Sequence, residues 1–457
     1  MTRREISLYD QYLLGQNFRG TKCQICTGCG RCFFLGGTQV QTDRGEALSE
    51  DGRQNLHVVT TNGLGTSGFL IPSAPIPSAH GERLVTADIG TTTIAVQLYD
   101  DKGNITTDYA GVNPQVRFGA DVLSRIQAAR EPETAETMRR EVLTELEVAV
   151  ECFRAFLQPE ESMRMVLAGN TTMIYLLMGY DPAELGRAPF DASHLAAIET
   201  VIGDVPCVIF PGISAFVGGD ITAGMYACGM QERQELTLLV DLGTNGEMVL
   251  GNRDRRIACA TAAGPAFEGG VNRGVWGADM IHLLARLKRE GIMDETGLLA
   301  DAYFEDGILI GDVRVTQEAI RAIQLAKGAI GAGIRILMKE YGLQEDWQAI
   351  DRVVLAGGFG YYLRAEDAAE VGLLPRELET KCLAGGNTAL VGALRLGREL
   401  LTPGTAEGWR PPEDICERLG ARGVEVLNLA EHPDFEQMYF QYMNFDNCSE
   451  PSEFIGK

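Results

Sequence analysis

One short pattern occurs twice in this chain and constrains its fold more than any other feature. An apolar segment ends in Asp-x-Gly-Thr and is followed at once by a second apolar segment, at residues 84–96 and again at 238–249. Each copy predicts two strands joined by a tight turn. Because both copies should form the same unit, this internal repeat constrains the whole fold. Around it, short β-branched segments alternate with helical patterns, which predicts an α/β architecture.

The residues of the two turns suit a bound phosphate and a metal ion. Gly90 and Gly243 have no Cβ, so backbone N–H groups can approach phosphate oxygens closely. Asp88 and Asp241 end the apolar strands and would face one Mg²⁺, through its waters. A single Asp-x-Gly-Thr is equally typical of an ordinary hairpin, but two copies favour a nucleotide site. Further donors come from the side chains that follow the glycines: Thr91, Thr92, Thr244 and Asn245.

A third element follows the two hairpins along the chain. Residues 353–360 form an apolar strand that leads into Gly357, Gly358 and Phe359, and we expect a helix from Ala365. Glycines at that point would let an adenosine lie against bare backbone. A lone Gly-Gly loop is weak evidence, whereas one placed third behind two phosphate hairpins indicates a nucleotide-binding fold.

The charge balance excludes several classes of partner. The formal net charge is −23 and the sequence pI is near 4.7, so the surface should repel nucleic acid and anionic membranes. An acidic surface is also ordinary for a soluble enzyme. The N-terminus lacks the apolar core of a signal peptide, and no run of about 18 apolar residues exists. We therefore expect a cytoplasmic protein without a membrane span.

Four of the eleven cysteines lie within ten residues of one another, which predicts a metal centre. Cys23, Cys26, Cys29 and Cys32 are each separated by two residues. The first three match the ligand spacing of a 4Fe–4S cluster, although the fourth spacing is shorter than usual. Tetrahedral zinc, which also takes four cysteines, is the alternative. The other seven cysteines are scattered, as expected for reduced core thiols rather than a disulfide framework.

The composition along the chain predicts five parts. They are an iron–sulfur segment (1–35), a Gly- and Pro-rich linker (36–82), a first ATPase lobe (83–232), a second ATPase lobe (233–400) and a C-terminal wrapping segment (401–457) with one strand at 424–429. An amphipathic helix is predicted at 134–157 and a longer one at 315–341, with Thr316 as N-cap and Gly342 as its end. Small residues along the long helix, from Ala322 to Gly333, would admit another backbone.

The order of the three elements resembles the superfamily of acetate and sugar kinases, chaperones and actin. That resemblance implies two ribonuclease-H-like lobes that clamp a nucleotide. Five further segments, together with these elements, resemble more closely one family of this superfamily, the reductive activators of corrinoid proteins. This closer resemblance covers about residues 83–445. Those segments are 113–126, 169–173, 216–220, 261–270 and 325–327.

The resemblance implies a set of site residues beyond the two aspartates. Asp220 and Glu268 are candidates for placing Mg²⁺ or the attacking water, although Glu268 could equally be a carboxylate at a helix N-terminus. Lys327 could reach the adenosine, or could be a solvated lysine. The nucleotide-binding set is Gly90, Thr91, Thr92, Gly243, Thr244, Asn245, Gly264, Lys327, Gly357, Gly358 and Phe359.

The resemblance also implies an activity: ATP hydrolysis with Mg²⁺, coupled to electron transfer from the cluster to a cob(II) corrinoid protein of a methyltransferase system. The family's usual N-terminal module is a plant-type ferredoxin domain, for which 35 residues are too few. A low-potential donor such as ferredoxin or flavodoxin would supply the electron, and a homodimer sharing the cluster is compatible with the sequence. The alternatives are an activator of a radical dehydratase, a small-molecule kinase and a nucleotide-switched binding protein.

Overall fold

The computed structural model describes residues 75–77, 81–243, 245–261, 277–310, 313–402 and 413–446. The four-cysteine segment and most of the predicted linker lie outside these residues. The chain forms two compact units. The first contains the described residues up to Gln231 and those of Gly386–Gly423, and the second contains those of Glu232–Gly385 and those from Val424 onward.

The first unit is built on a six-stranded sheet in the order β3-β2-β1-β4-β6-β5. β1, β2 and β3 form an antiparallel meander, β4 and β6 continue the sheet in parallel with β1, and β5 is an antiparallel edge. The strands are β1 (Glu82–Ile89), β2 (Thr93–Tyr99), β3 (Ile105–Val112), β4 (Ser162–Gly169), β5 (Ile198–Ile202) and β6 (Val205–Ile209).

Helices cover both faces of this sheet because its central strands are apolar on both sides. Val85, Ala87 and Ile89 of β1 pack with α2 and α3 on one face, whereas Leu84 packs with α4 and α10 on the other. By this alternation, Asp88 lies on the face of Leu84, toward α10. The helices are α1 (Val122–Ala128), α2 (Pro132–Arg154), α3 (Thr171–Met178), α4 (Gly219–Cys228), α10 (Thr388–Leu401) and α11 (Ile415–Arg418).

Two parts of the first unit differ from the predicted organisation. Ile76, placed by sequence in the linker, is buried in the core beside Leu84, and its N–H donates to the carbonyl of Asp101 at 2.8 Å. Residues 386–400, placed by sequence in the second lobe, belong to the first unit because the apolar face of α10 packs against β1, β4 and α4. Composition could not reveal either change, because both depend on which apolar surface each segment covers.

The second unit repeats the plan of the first. Its sheet has the order β13-β12-β7-β8-β9-β14, with an antiparallel meander of β7, β8 and β9 and with β12 parallel to β7. The predicted internal repeat is therefore confirmed at the level of topology. The strands are β7 (Thr237–Leu242), β8 (Gly246–Gly251), β9 (Arg256–Thr261), β12 (Arg352–Ala356), β13 (Cys382–Gly386) and β14 (Val424–Leu427), and a small hairpin pairs β10 (Ile308–Ile310) with β11 (Val313–Val315).

The long helix predicted at 315–341 is α7, Gln317–Tyr341. Thr316 is its N-cap, accepting a hydrogen bond from the N–H of Ala319 at 3.2 Å, and Gly342 ends it at φ +93°. The helix predicted at 134–157 is α2, which begins two residues earlier and ends at Arg154. The other helices of this unit are α5 (Gly277–Arg289), α6 (Asp301–Phe304), α8 (Gly357–Tyr362), α9 (Ala365–Glu370) and α12 (Phe435–Met443).

The C-terminal segment packs on the second unit through β14 and α12. β14 pairs in parallel with β9, and α12 lies along α7. At Gly328 of α7, a Cβ would lie 3.1 Å from the carbonyl oxygen of Tyr439, so only glycine lets the two helices approach this closely. The prediction that small residues of the long helix admit another backbone is confirmed.

Six of the scattered cysteines lie in the described residues. Cys152, Cys207, Cys228 and Cys259 are buried and take part in no disulfide, and burial raises the pKa of Cys152 to about 11. Cys382 and Cys416 are free and half-buried. In the described ranges, no helix combines the length and hydropathy needed to cross a bilayer.

Candidate functional site

The first hairpin joins β1 to β2 through a turn that needs glycine. The N–H of Gly90 donates to the carbonyl of Thr93 at 2.8 Å, which closes the turn. A Cβ on Gly90 would lie 3.2 Å from that same oxygen, so a larger residue would push the turn open. The hydroxyl of Thr91 is buried and accepts a 2.9 Å hydrogen bond from the amide of Asn170. The Asp-x-Gly-Thr sequence therefore forms the tight turn that was predicted.

Asp88 ends β1 as a partly buried carboxylate. Burial raises its pKa to about 6, and a 2.8 Å hydrogen bond from Nδ2 of Asn387 acts in the opposite direction. Asn387 begins α10, the helix that returns to the first unit. Since burial disfavours the charged form of this carboxylate, a cation bound beside it would stabilise that charged form.

Asp220 lies in the first turn of α4, in the same unit. Its Oδ1 accepts a 2.8 Å hydrogen bond from the N–H of Ile221. The chain just before it lies directly against the β4–α3 turn, since a Cβ on Gly218 would collide with Asn170. Asn170 in turn contacts Thr91 of the hairpin. The structure thus brings Asp220 into the neighbourhood of the first hairpin through two packed turns.

The second hairpin and the third element meet in the second unit. The N–H of Gly243 donates to the carbonyl of Asn245 at 3.0 Å, closing the turn between β7 and β8. Gly357 has φ +80°, and a Cβ on it would lie 2.7 Å from Oδ1 of Asp241 and 2.8 Å from the carbonyl of Leu242. The glycine pair therefore backs directly onto the aspartate of this hairpin.

The third element differs from its predicted form. The predicted helix from Ala365 is confirmed as α9, but α8 begins at Gly357 itself, where the sequence predicted a glycine loop. Gly357 and Gly358 thus form the first turn of a helix rather than a loop. Phe359 is 8% exposed and belongs to the hydrophobic core, which explains its place in the motif without a ligand.

The ammonium of Lys327 contacts the C-terminal segment of the chain. Lys327 is fully buried, so the solvated alternative is wrong. Its ammonium donates to the carbonyl of Asn444 at 2.6 Å and to the carbonyl of Tyr442. The ammonium also lies 5.2 Å from the centre of the Phe445 ring. Contact with an adenosine would require these bonds to the C-terminal segment to break.

Several predicted site residues lie outside the described residues and stay predictions. They are Thr244, Gly264, Glu268 and the four cysteines Cys23, Cys26, Cys29 and Cys32. Thr92 is described, and its carbonyl accepts a 2.8 Å hydrogen bond from the N–H of Asn113.

Three residues that sequence reasoning did not select contact the first hairpin: Asn113, Asn170 and Asn387. Asn387 follows Gly385 and Gly386 at the end of β13, so strand β13, its glycines and α10 repeat the strand–glycine–helix pattern of residues 353–360. That repetition was a signal that could have identified Asn387. Asn113 and Asn170 lie in two of the segments that carry the family resemblance, 113–126 and 169–173, but nothing in those segments related their side chains to the hairpin.

The first hairpin offers groups that suit a phosphate with a hydrated Mg²⁺. The carbonyl of Gly90 is held by the amide of Asn113 at 2.8 Å. Since the C=O and the following N–H point in opposite directions in a trans peptide, the N–H of Thr91 points away from Asn113. A backbone donor and a carboxylate of raised pKa at neighbouring positions fit a magnesium–phosphate group.

Comparisons with known proteins agree with this architecture. The family model described as the RACo middle region matches residues 84–233, and the one described as the C-terminal domain of RACo, the ASKHA domain, matches 235–273 and 271–452. The corrinoid activation enzyme RamQ of Eubacterium limosum is 29% identical, over 86% of this chain and 75% of that protein. A [Co(II) methylated amine-specific corrinoid protein] reductase of Methanosarcina barkeri is 23% identical, over 81% and 78%.

A solved structure agrees as well. The reductive activator for corrinoid,iron-sulfur protein superimposes with a TM-score of 0.69 at 30% identity, covering 80% of this chain and 67% of the other. The predicted fold class, an α/β fold of the acetate and sugar kinase, chaperone and actin type, is confirmed by this match and by the ASKHA domain. With family models covering most of its length, this chain belongs to the RACo family of reductive activators.

Proposed function

We propose that this protein is an ATP-dependent reductive activator, which returns an inactive cob(II) corrinoid protein of a methyltransferase system to cob(I). The observation that carries the proposal is the hairpin at Asp88, a tight phosphate-type turn beside a carboxylate of raised pKa. It occurs in a chain of the RACo family whose relatives are named as corrinoid activators and reductases. The fold alone would suit many ATP-using proteins, and the relatives supply the client class.

The overall step moves one electron and hydrolyses ATP. Cys23, Cys26, Cys29 and Cys32 would hold an iron–sulfur cluster, which would supply the one electron that reduces cob(II) to cob(I), while ATP and water give ADP and phosphate. An electron of ordinary cellular potential moves uphill to cob(II), and each 59 mV corresponds to about 1.4 kcal/mol. A gap of ~200 mV would thus cost about 5 kcal/mol, which hydrolysis of one ATP can supply.

The aspartates and the loop donors divide the work of hydrolysis. Mg²⁺, when bound, neutralises charge on the phosphates. Asp88 and Asp241 would hold its waters, and Asp220 and Glu268 would place the metal or the attacking water. The backbone of the two hairpins, with Thr91 and Asn245, binds phosphate oxygens. The position of Asp88 and Asp241 near the ends of β1 and β7, and of Asp220 in the first turn of α4, supports these roles.

The partners follow from the same proposal. The client is a corrinoid protein, and a low-potential donor such as ferredoxin or flavodoxin reloads the cluster in the cytoplasm. The acidic chain, with a formal charge of −23, disfavours nucleic acid and membranes as partners. A homodimer is the arrangement to test if one chain alone does not hold a full cluster.

The direct test is optical reduction of a partner corrinoid protein. Reduced wild-type protein should convert cob(II) to cob(I) with ATP, and neither without nucleotide nor with a non-hydrolysable analogue. Asp88→Ala and Asp241→Ala should each lower ATP hydrolysis at least about a hundredfold, the loss of ~3 kcal/mol at the transition state. Both variants should keep the wild-type far-UV spectrum.

Three results would count against the proposal. Equal reduction without nucleotide would remove the energy coupling, and full reduction after replacement of Cys26 and Cys29 would remove the cluster. Activation of a radical dehydratase, with no effect on any corrinoid protein, would keep the ATPase and change the client.

A further inference from the structure

Three asparagines of the first unit share one arrangement. Asn113 is the N-cap of the short 3₁₀-helix Pro114–Phe118, Asn170 that of α3 and Asn387 that of α10. Each also contacts a different residue of the 88–91 segment. In every case Oδ1 accepts a hydrogen bond from a helix N–H while Nδ2 donates to the hairpin. The three come from well-separated parts of the chain, so the tertiary fold alone brings them together.

Asn387 holds the carboxylate. Its Oδ1 accepts from the N–H of Leu390 at 2.8 Å, and its Nδ2 donates to Oδ2 of Asp88 at 2.8 Å. Because α10 is packed against β1 and β4, the position of this amide is fixed by the core rather than by the hairpin.

Asn170 holds the threonine. Its Oδ1 accepts from the N–H of Met173 at 3.0 Å, at the start of α3, and its Nδ2 donates to Oγ1 of Thr91 at 2.9 Å. Because the hydroxyl oxygen of Thr91 accepts this hydrogen bond, the hydroxyl proton points away from Asn170.

Asn113 holds the backbone of the turn through two carbonyl groups. It is fully buried, its Oδ1 accepts from the N–H of Gln115 at 3.0 Å, and its Nδ2 donates to the carbonyl of Gly90 at 2.8 Å. Its own N–H donates to the carbonyl of Thr92 at 2.8 Å. Two carbonyls of the turn are thus drawn toward one residue.

The double contact fixes which way each amide faces. A helix N-cap must present an acceptor to the N–H groups of the first turn, so Oδ1 cannot exchange places with Nδ2 without losing the cap. The donor end of each side chain is therefore set by the helix and points at the hairpin. An aspartate or serine would cap the helices equally well but would offer no amide donor.

We propose that Asn113, Asn170 and Asn387 are positioning residues that lock the first phosphate hairpin in its binding conformation. Asn113 turns the Gly90 carbonyl inward and so the Thr91 N–H outward, Asn170 orients the Thr91 hydroxyl, and Asn387 orients the Asp88 carboxylate. The link from these contacts to catalysis rests on the proposed ATPase function.

The test replaces each asparagine by serine, which keeps the helix cap and removes the amide donor. Hydrogen exchange of residues 88–93 in the nucleotide-free protein should become at least about tenfold faster in each variant. The melting temperature should change by only a few degrees, because the cap is retained. Steady-state ATP hydrolysis per bound nucleotide should fall about ten- to a hundredfold, as expected when reacting groups are misplaced.

An aspartate series distinguishes positioning from stability. Asn387→Asp and Asn113→Asp keep the caps but oppose oxygen to oxygen at Asp88 and at the Gly90 carbonyl, so they should lower hydrolysis most. Asn170→Asp can still accept a hydrogen bond from the Thr91 hydroxyl and should lower it least. Asn428→Ser is the matched control. Asn428, in the second unit, caps the short 3₁₀-helix Leu429–Glu431 by accepting a hydrogen bond from the N–H of Ala430 at 3.2 Å.

Two outcomes separate the two hypotheses. Unchanged exchange at residues 88–93 in all three serine variants, or activity losses that only follow the melting temperature, would overturn the asparagine inference. A wild-type protein that neither binds nor hydrolyses ATP would overturn the proposed function, while faster exchange in the variants would still support the positioning of the hairpin.

Discussion

The side-chain amide of Asn387 donates a 2.8 Å hydrogen bond to the carboxylate of Asp88, although the two residues are 299 positions apart in the sequence. The contact forms because α10, which follows β13 in the chain, packs against β1 and β4 of the first sheet. It links the end of β1, where the first hairpin begins, to a helix start that the core holds in place. One residue near the end of the α/β region thereby controls the environment of an aspartate near its beginning.

The raised pKa of Asp88 predicts a conflict between stability and function. The folded-state pKa is about 6, against an ordinary value of 3.8. The folded state therefore holds this proton more tightly, and the free energy of unfolding falls as pH rises from about 4 to about 6. Asp88→Asn removes this cost and should stabilise the nucleotide-free protein by up to about 3 kcal/mol above pH 6 and by little near pH 4.

Thermal unfolding of wild type and of Asp88→Asn in EDTA, at pH 4.5 and at pH 8, measures this effect. ATP hydrolysis by Asp88→Asn, assayed separately with Mg²⁺, should be lost. Asp100→Asn is the control of opposite sign. Burial acts to raise the pKa of Asp100, but hydrogen bonds from Asn104 and Lys102 hold it below its ordinary value. An Asp88→Asn protein that is less stable than wild type at pH 8 would contradict the assignment.

Gly357→Ala should disrupt the second unit at its aspartate. The methyl group would lie 2.7 Å from Oδ1 of Asp241, and the residue would keep a φ of +80° that side chains rarely adopt. Gly291→Ala is a matched control, since Gly291 has φ +69° with nothing within 4 Å of its Cβ position. We expect ATP affinity, measured by calorimetry, to fall at least tenfold for Gly357→Ala only. Equal losses in both variants would show that backbone strain alone is responsible.

Lys327→Met should loosen the C-terminal helix. The carbonyls of Tyr442 and Asn444 would lose a buried donor, at a cost of about 1–3 kcal/mol for each group left unsatisfied. Hydrogen exchange of Phe435–Met443 should accelerate, with little change in the affinity for ATP. Lys339→Met is the control, because Lys339 lies on the same helix and pairs with Asp434 at the exposed surface.

The opposite pattern for Lys327→Met would favour the adenosine contact that the sequence suggested. A tenfold weaker affinity for ATP, together with unchanged protection of Phe435–Met443, would mean that the ammonium binds nucleotide rather than the C-terminal segment.

The cysteine segment predicts a coloured, oxygen-sensitive protein. Protein purified without oxygen should be brown and contain roughly four irons and four sulfides per site, with little zinc. Cys26→Ser combined with Cys29→Ser should bleach it and leave ATP hydrolysis intact, because the ATP-binding hairpins lie elsewhere in the chain. Stoichiometric zinc without sulfide would contradict the electron-transfer function.

The repeated hairpins could be read from the sequence because their signal is local. A strand end, a glycine turn and a polar donor fall within four residues, as at Asp88 and Gly90, and the same pattern at Asp241 and Gly243 predicted the repeat of topology. The caps of α7 were predictable for the same reason, since Thr316 and Gly342 act on neighbouring N–H and C=O groups. Sequence determined the fold class and the hairpins that define the candidate site.

The tertiary structure decided what surrounds those hairpins. Asn113, Asn170 and Asn387 reach the first hairpin from three separate helix starts, and no spacing in the sequence relates them. The sequence left Lys327 open between an adenosine contact implied by the resemblance and a solvated position, and only the packing of α12 over Gly328 shows that it is buried. Local patterns fix which backbone groups a residue can cap, whereas side-chain partners depend on which elements share apolar surface, and only the folded chain brings those elements together.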